Sequence, residues 1–92
     1  MIVGFRHKGL KRLFERDDPS GIRPDLLDKV RTILAQLSEA RTIEDMRTTS
    51  FHLHRLQGEM KGLWSVTVRA NWRIVFRFLD GDADDVELID YH

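Results

Sequence analysis

The stretch Trp64-Ser65-Val66-Thr67-Val68-Arg69-Ala70-Asn71-Trp72-Arg73-Ile74-Val75-Phe76-Arg77-Phe78 decides the fold. On both sides of Ala70-Asn71 apolar residues alternate with others, the period-2 signature of two strands joined by a tight turn. A two-residue turn at Ala70-Asn71 would pair Arg69 with Trp72. It would then set Ile74 and Phe76 on the face opposite Val66 and Val68, a division of the apolar set that register normally forbids. A three-residue connection, Ala70-Asn71-Trp72, pairs Arg69 with Arg73 instead. It gathers Trp64, Val66, Val68, Ile74, Phe76 and Phe78 on one side, and Asn71 tolerates the left-handed conformation such a hairpin needs. The three-residue register is therefore predicted. Ser65, Thr67, Arg69, Arg73, Val75 and Arg77 then share the other face, which reads as a surface for phosphates rather than a second core.

Working outward, Phe51-His52-Leu53-His54 alternates in the same way, as does the region of Val86 and Leu88. Gly58, Gly62, Ala70-Asn71 and Gly81 separate these segments, so four strands are expected, and residues 1–6 add a short opening one. Before residue 50 the period is 3.6. Leu10, Leu13 and Phe14 mark a helix over 7–16, and Leu26, Val30, Ile33, Leu34 and Leu37 mark a second over about 24–38, with Pro24 suited to its first turn. Asp17 to Gly21 is a loop by its turn residues, and 42–47 adds a short helical turn. The expectation is one α+β domain over 1–92. Two N-terminal helices pack on one face of a mostly antiparallel, twisted sheet of about four to five strands.

Composition permits this and removes other classes. The 92 residues are 41% hydrophobic and 33% charged, enough for one core and unlike a disordered or fibrous chain. There is no cysteine, so disulfides and thiolate metal sites are out and a cytoplasmic location is natural. No apolar run approaches the roughly 20 residues of a membrane span, and Met1 to Arg6 charges too early for a signal peptide. The net charge of zero hides a strong asymmetry. Residues 1–16 hold five bases against one acid and residues 51–79 again five against one, +4 each. Residues 80–92 hold six acids, −6. Local fields decide where a polyanion lands, although on charge alone these stretches are equally read as solvated, salt-bridged faces.

Of the four histidines, His52 and His54 would share a strand face, and with His92 and Asp90 could hold zinc, but an H-x-H pair is more often simply exposed. Asp82, Asp84 and Asp85 beside Gly81 read as loop and solvation residues. The remaining constellation is His54, Arg73, Asp90, Tyr91 and His92. RNA is cut without a metal when its own 2′-OH is activated by a base, the phosphorane charge is neutralised and the leaving 5′-oxygen is protonated. Histidine titrates where it can be either base or acid, and arginine offers a fixed fork to phosphate oxygens. By composition alone, Tyr91 packing and a surface role for the arginines remain equally open.

The run from Trp64 to Ile74, the closing Asp90-Tyr91-His92 and the opening Phe5, His7-Lys8-Gly9-Leu10-Lys11, Leu13-Phe14 together resemble the HigB toxins, the plasmid-maintenance killer branch of the RelE superfamily. The resemblance implies a toxin of a type II toxin–antitoxin system with a RelE-like fold. It would be a ribosome-dependent endoribonuclease that acts without metal or other cofactor in the decoding site, cleaving messenger RNA by 2′-OH attack and so inhibiting translation. It implies catalytic positions at His54, Asp90, Tyr91 and His92, a transition-state arginine at Arg73 and a supporting Asn71. Proton transfer falls to His54, Asp90 and His92 as a group, and Tyr91 would orient or stack the substrate base. Arg69, Arg77, Lys8, Lys11 and Arg12 are the expected RNA contacts. Gln57 departs from the family, whose members carry lysine there, so a charge at that position is missing. The implied partners are a HigA-type helix-turn-helix antitoxin, the ribosome and messenger RNA, with operator DNA reached only through the antitoxin complex and no membrane.

Two other readings share the fold. One is a ParE-like gyrase inhibitor that cleaves nothing. The other is an inactive toxin homologue retained for antitoxin binding, which Gln57 keeps open. The set His54, Asp90, Tyr91 and His92 favours the nuclease.

Overall fold

The 3.6-residue stripes and the period-2 stripes end up facing each other across one core. The structure, a computed structural model, describes residues 1–91. Helix α1 spans Lys8–Arg16 and α2 spans Leu27–Glu39. Short 3-10 turns follow at Ile43–Met46 and Thr49–Phe51. Strands β1 (His54–Arg55), β2 (Trp64–Arg69), β3 (Trp72–Leu79) and β4 (Asp82–Asp90) form an antiparallel sheet in that order. Both helices bury their stripes on one face. Leu10, Leu13, Val30, Ile33, Leu34 and Leu37 meet Val66, Val68, Ile74, Phe76, Val86 and Leu88. At roughly 1.5–3 kcal/mol for each fully buried large side chain, this shared face is the main source of stability.

Helix α1 begins at His7, whose Nδ1 accepts the Leu10 N–H at 3.1 Å. It ends at Asp17, in the left-handed conformation at φ 54°. Helix α2 starts at Leu27 rather than at Pro24, because residues 24–26 form turns that lead into it. The expected opening strand is reduced to two parallel bridges, Ile2 to Ala83 and Phe5 to Val86, held by backbone bonds such as Val3 N–H to Ala83 O at 2.8 Å. The expected strand over 51–54 is mostly a 3-10 turn. His52 lies in the left-handed region at φ 47°, which breaks the alternation that would have set it beside His54. Asp82, Asp84 and Asp85, expected in a loop, belong to β4.

The hairpin register differs from the predicted one in an instructive way. Arg69 pairs with Trp72 across a two-residue turn, and the left-handed residue is Ala70 at φ 50°. A register shift between Thr67 and Arg69 then inserts Val68 as an extra residue, so that Thr67 pairs with Arg73, Val66 with Ile74 and Trp64 with Phe76. The bulge restores the phase that the turn would have spoiled. The apolar residues do share a face, but by an inserted residue rather than a longer loop.

Candidate active site

Residues paired directly across a sheet point to the same side, so the register gives the site its layout. On the face away from the helices, one row runs His54, Ser65, Val75, Glu87, and the next runs Thr67, Arg73, Ile89. His54 and Arg73 therefore lie two strands apart (~10 Å) and one same-face step along (~7 Å), a Cα separation of about 12 Å by strand geometry. Both side chains are long enough to approach a phosphate held between them beside the half-buried Thr67. Short β1, with both residues exposed, leaves the imidazole open to solvent.

Three arginines were expected together on this face, and the structure separates them. Arg73 stays. Its Nη1 donates to the carbonyls of Ala70 at 2.6 Å and Trp72 at 3.3 Å, and no carboxylate of the described residues lies within ion-pair distance. Arg69 is turned to the helix side by the Val68 bulge, where it meets Asp25 at 3.7 Å. Arg77 keeps the expected face, but its Nε donates to Asp85 at 3.1 Å, and Asp85 also approaches Arg6 at 3.5 Å. A second bulge places Asp85 there, since β4 takes three residues from Glu87 to Asp84 where β3 takes two, and Asp85 sits at φ 52°. Nor is the face open throughout. Ser65 and Val75 are buried, as is Leu56, so the middle of the face is covered and Arg77 is cut off from Arg73. Arg6, Leu63, Met60 and Glu59 line the groove beside Val75 and Arg77.

The chain end is drawn toward the hairpin tip. Asp90 is still in β4 and pairs with Trp72, and the Tyr91 N–H donates to Asn71 O at 2.7 Å. No bend precedes Asp90. By alternation it shares the helix-side face with Leu88 and Trp72, while Tyr91 follows on the side of Arg73 with its ring exposed. Asn71 and Asp90 each carry a further interaction. His92 lies outside the described residues. Gln57 is exposed and caps the 3-10 turn Gly58–Met60 on the segment that follows His54.

Lys8, Lys11 and Arg12 are exposed on α1, with Glu15 and Arg16 around a shallow depression. Helix α1 packs on the opposite side of the sheet from Arg73, so this basic patch is separate from the His54 site. Burial pushes the His7 imidazole below its ordinary value, with the Arg12 charge adding to the effect and Glu87 opposing it. His7 therefore serves as a helix cap. Sequence reasoning missed the two carboxylates, Asp25 and Asp85, that lie beside Arg69 and Arg77. The bulges bring each arginine and carboxylate together, and although the apolar phase across Ala70-Asn71 calls for one extra residue, it does not say that the residue lies in β2.

With this geometry in place, comparison with known proteins is direct. A family profile described as "RelE-like toxin of type II toxin-antitoxin system HigB" matches residues 3–92. A protein of Proteus vulgaris called Endoribonuclease HigB is 44% identical over 92 residues, all of both chains. Among solved structures, YafQ from E. coli strain BL21(DE3) superposes with a TM-score of 0.63 at 17% identity, covering 96% of this chain and 89% of that one. A chain of the heterotetrameric YoeB-YefM toxin-antitoxin complex from Staphylococcus aureus gives 0.62 at 14% identity, with 100% and 95% covered. The two structures establish a shared fold.

Proposed function

The chain belongs to the HigB-like, RelE-like toxins of type II toxin–antitoxin systems, and from that premise we propose that it is a ribosome-dependent endoribonuclease of messenger RNA. The observation that carries this reading is Arg73, the one arginine of the expected three that stays on the His54 face without a carboxylate partner among the described residues. A cation that no carboxylate of the described residues pairs, on the same face as a solvent-open imidazole, suits a reaction in which negative charge grows on a phosphate.

The chemistry balances without a metal, because the nucleophile is part of the substrate. A base takes the proton of a ribose 2′-OH, the 2′-oxygen attacks the adjacent phosphorus, and the bond from phosphorus to the 5′-oxygen breaks. An acid gives that oxygen a proton. The products are a 2′,3′-cyclic phosphate and a 5′-hydroxyl. Base and acid are drawn from His54 and His92, whereas Asp90, expected in the same group, lies in β4 on the helix side with Leu88 and Trp72 and does not face the His54 row. Arg73 neutralises the phosphorane, Tyr91 orients a base, and Asn71 fastens the chain end to the hairpin through its carbonyl. Gln57 donates a hydrogen bond where relatives place a charge.

The partner of a type II toxin is an antitoxin, here of the HigA helix-turn-helix type, with operator DNA bound only by the complex. Ribosomal RNA offers the phosphate array for Lys8, Lys11 and Arg12. The Proteus relative is called an endoribonuclease, which does not favour the gyrase-inhibitor alternative. The test maps transcripts by primer extension after brief induction, beside a gyrase supercoiling assay. New 5′ ends within translated messages, lost when translation initiation is blocked, are expected. Intact messages with inhibited supercoiling would overturn the proposal.

A further inference from the structure

On the helix side of the hairpin, next to Arg73, a planar cation sits over an aromatic ring. The guanidinium of Arg23 lies over Trp72, 5.5 Å from the ring centroid. Asp25 grips it with both oxygens, accepting from Nε at 3.0 Å and Nη2 at 2.8 Å. Both bonds lie in the guanidinium plane, so they fix the plane and leave its two broad faces unbonded. One face is turned to Trp72. The side chain is 57% exposed, so the other is available to solvent. Asp25 also lies 3.7 Å from Arg69, so the group as a whole carries one net positive charge, and its charge is partly spent internally. Such a device is poorly suited to gripping phosphate and well suited to stacking, which every nucleobase can supply. Trp72 pairs with Asp90, placing the stack directly beside the chain end that carries Tyr91.

We propose that the Arg23 guanidinium, backed by Trp72 and clamped by Asp25, is a stacking platform for an unpaired base of the RNA flanking the scissile linkage. This rests on the reading of the hairpin end as the cleavage site. The RNA strand crosses the sheet end, with the reacting phosphate on the Arg73 side and a flanking base on the Arg23 side. Arg23 is a binding residue in this scheme, and Asp25 positions it.

The test is single-turnover cleavage of ribosome-bound messenger RNA by the full chain, with thermal unfolding recorded for every variant. Stacking on an aromatic or guanidinium face contributes roughly 1–3 kcal/mol per base. Arg23→Ala should therefore lower kcat/KM about 5- to 160-fold, mainly through KM, with little change in unfolding temperature. Arg23→Tyr should recover part of the loss, and Arg23→Lys, whose ammonium has no flat face, should not. The deciding arm replaces the nucleotides flanking the cut, one at a time, with abasic residues. At one position the abasic penalty should be large for the parent protein and vanish in Arg23→Ala. Penalties identical in the two proteins at every position overturn the platform, as does full recovery by lysine. Arg73→Ala is the control. Unimpaired cleavage by that variant sinks the site reading itself, whereas impaired Arg73→Ala beside unimpaired Arg23→Ala sinks only the platform.

Discussion

Replacing Arg73 with alanine separates a structural from a chemical role. In the folded chain its Nη1 makes two hydrogen bonds to hairpin carbonyls, at 2.6 and 3.3 Å, from a half-exposed position. Each such bond contributes on the order of 0.5–1.5 kcal/mol, and here the freed carbonyls can take water instead. The stability loss should be about 1 kcal/mol or less, no more than about 4–8 °C in Tm for a domain of this size. Ground-state binding loses one cation among several, which should lower the salt slope by about 0.7 for a single strand. The transition state loses more. Removing one preorganised donor from developing charge costs about 2.7–4 kcal/mol, a factor of roughly 10² to 10³. Single-turnover rates at saturating ribosomes, set beside co-sedimentation and melting, give all three quantities. Arg69→Ala and Arg77→Ala should cost far less, since each of those guanidiniums already lies beside a carboxylate, Asp25 or Asp85, and Arg69 is turned to the helix side. Equal losses of binding and rate in Arg73→Ala would make it an ordinary anchor, and parental rates would remove it from the site.

His7→Ala should destabilise by about 1 kcal/mol through loss of the α1 cap, while His7→Asn keeps the cap. Because burial lowers the folded imidazole's pKa, the unfolded chain takes up a proton first as pH falls. Stability should then decline below about pH 6.5 and level off once the folded form is protonated too, and pH-dependent denaturation of the parent and His7→Asn would show the slope vanish in the variant. Gly9→Ala should cost roughly 1–3 kcal/mol despite alanine's helix preference, since its Cβ would sit 2.6 Å from the Gly21 carbonyl oxygen, and a denaturant midpoint that rises instead would refute the contact. Reversing Lys8, Lys11 and Arg12 to glutamate should weaken ribosome co-sedimentation and its salt dependence while leaving Tm near the parent's, and unchanged co-sedimentation would move the docking surface elsewhere. Gln57→Lys should leave cleavage equal or faster, and a clear loss would mean that this site is arranged differently from its relatives'.

Much of the fold was legible because burial writes itself into spacing. The stripe from Val30 to Leu37 could only be a helix, and every apolar residue assigned to the inner face of β2 and β3 is buried or packed on the core. Elements decided by few residues were less legible. His52 breaks the strand expected over 51–54 by adopting a left-handed backbone, which the alternation of Phe51 and Leu53 does not announce. The opening segment pairs in parallel with β4 through two bridges, a long-range choice that no local pattern records. Ser65 and Val75 are buried because the chain from Leu56 to Leu63 folds back over them, so half of a face read as open surface is covered.

The site was legible as a set of residue types but not as an arrangement, and two inserted residues account for the difference. A period-2 reading assumes that each strand advances in step with its partner, and then Arg69, Arg73 and Arg77 must share a face. Val68 and Asp85 each break that step. The first bulge sends Arg69 across to Asp25, and the second delivers a carboxylate onto Arg77. The apolar pattern survives both, because each bulge occurs where the core side is already satisfied by Val66 or Val86. The effect of a bulge therefore falls on the polar residues, and hydrophobic periodicity, which asks for one extra residue in the hairpin, does not say whether it sits in the turn or in a strand. The consequence is selective. A face that looked uniformly basic becomes one where, among the described residues, Arg73 alone of the three arginines has no carboxylate partner, two strands and one same-face step from His54, and a cation so placed directs charge stabilisation to one phosphate rather than to a strand at large.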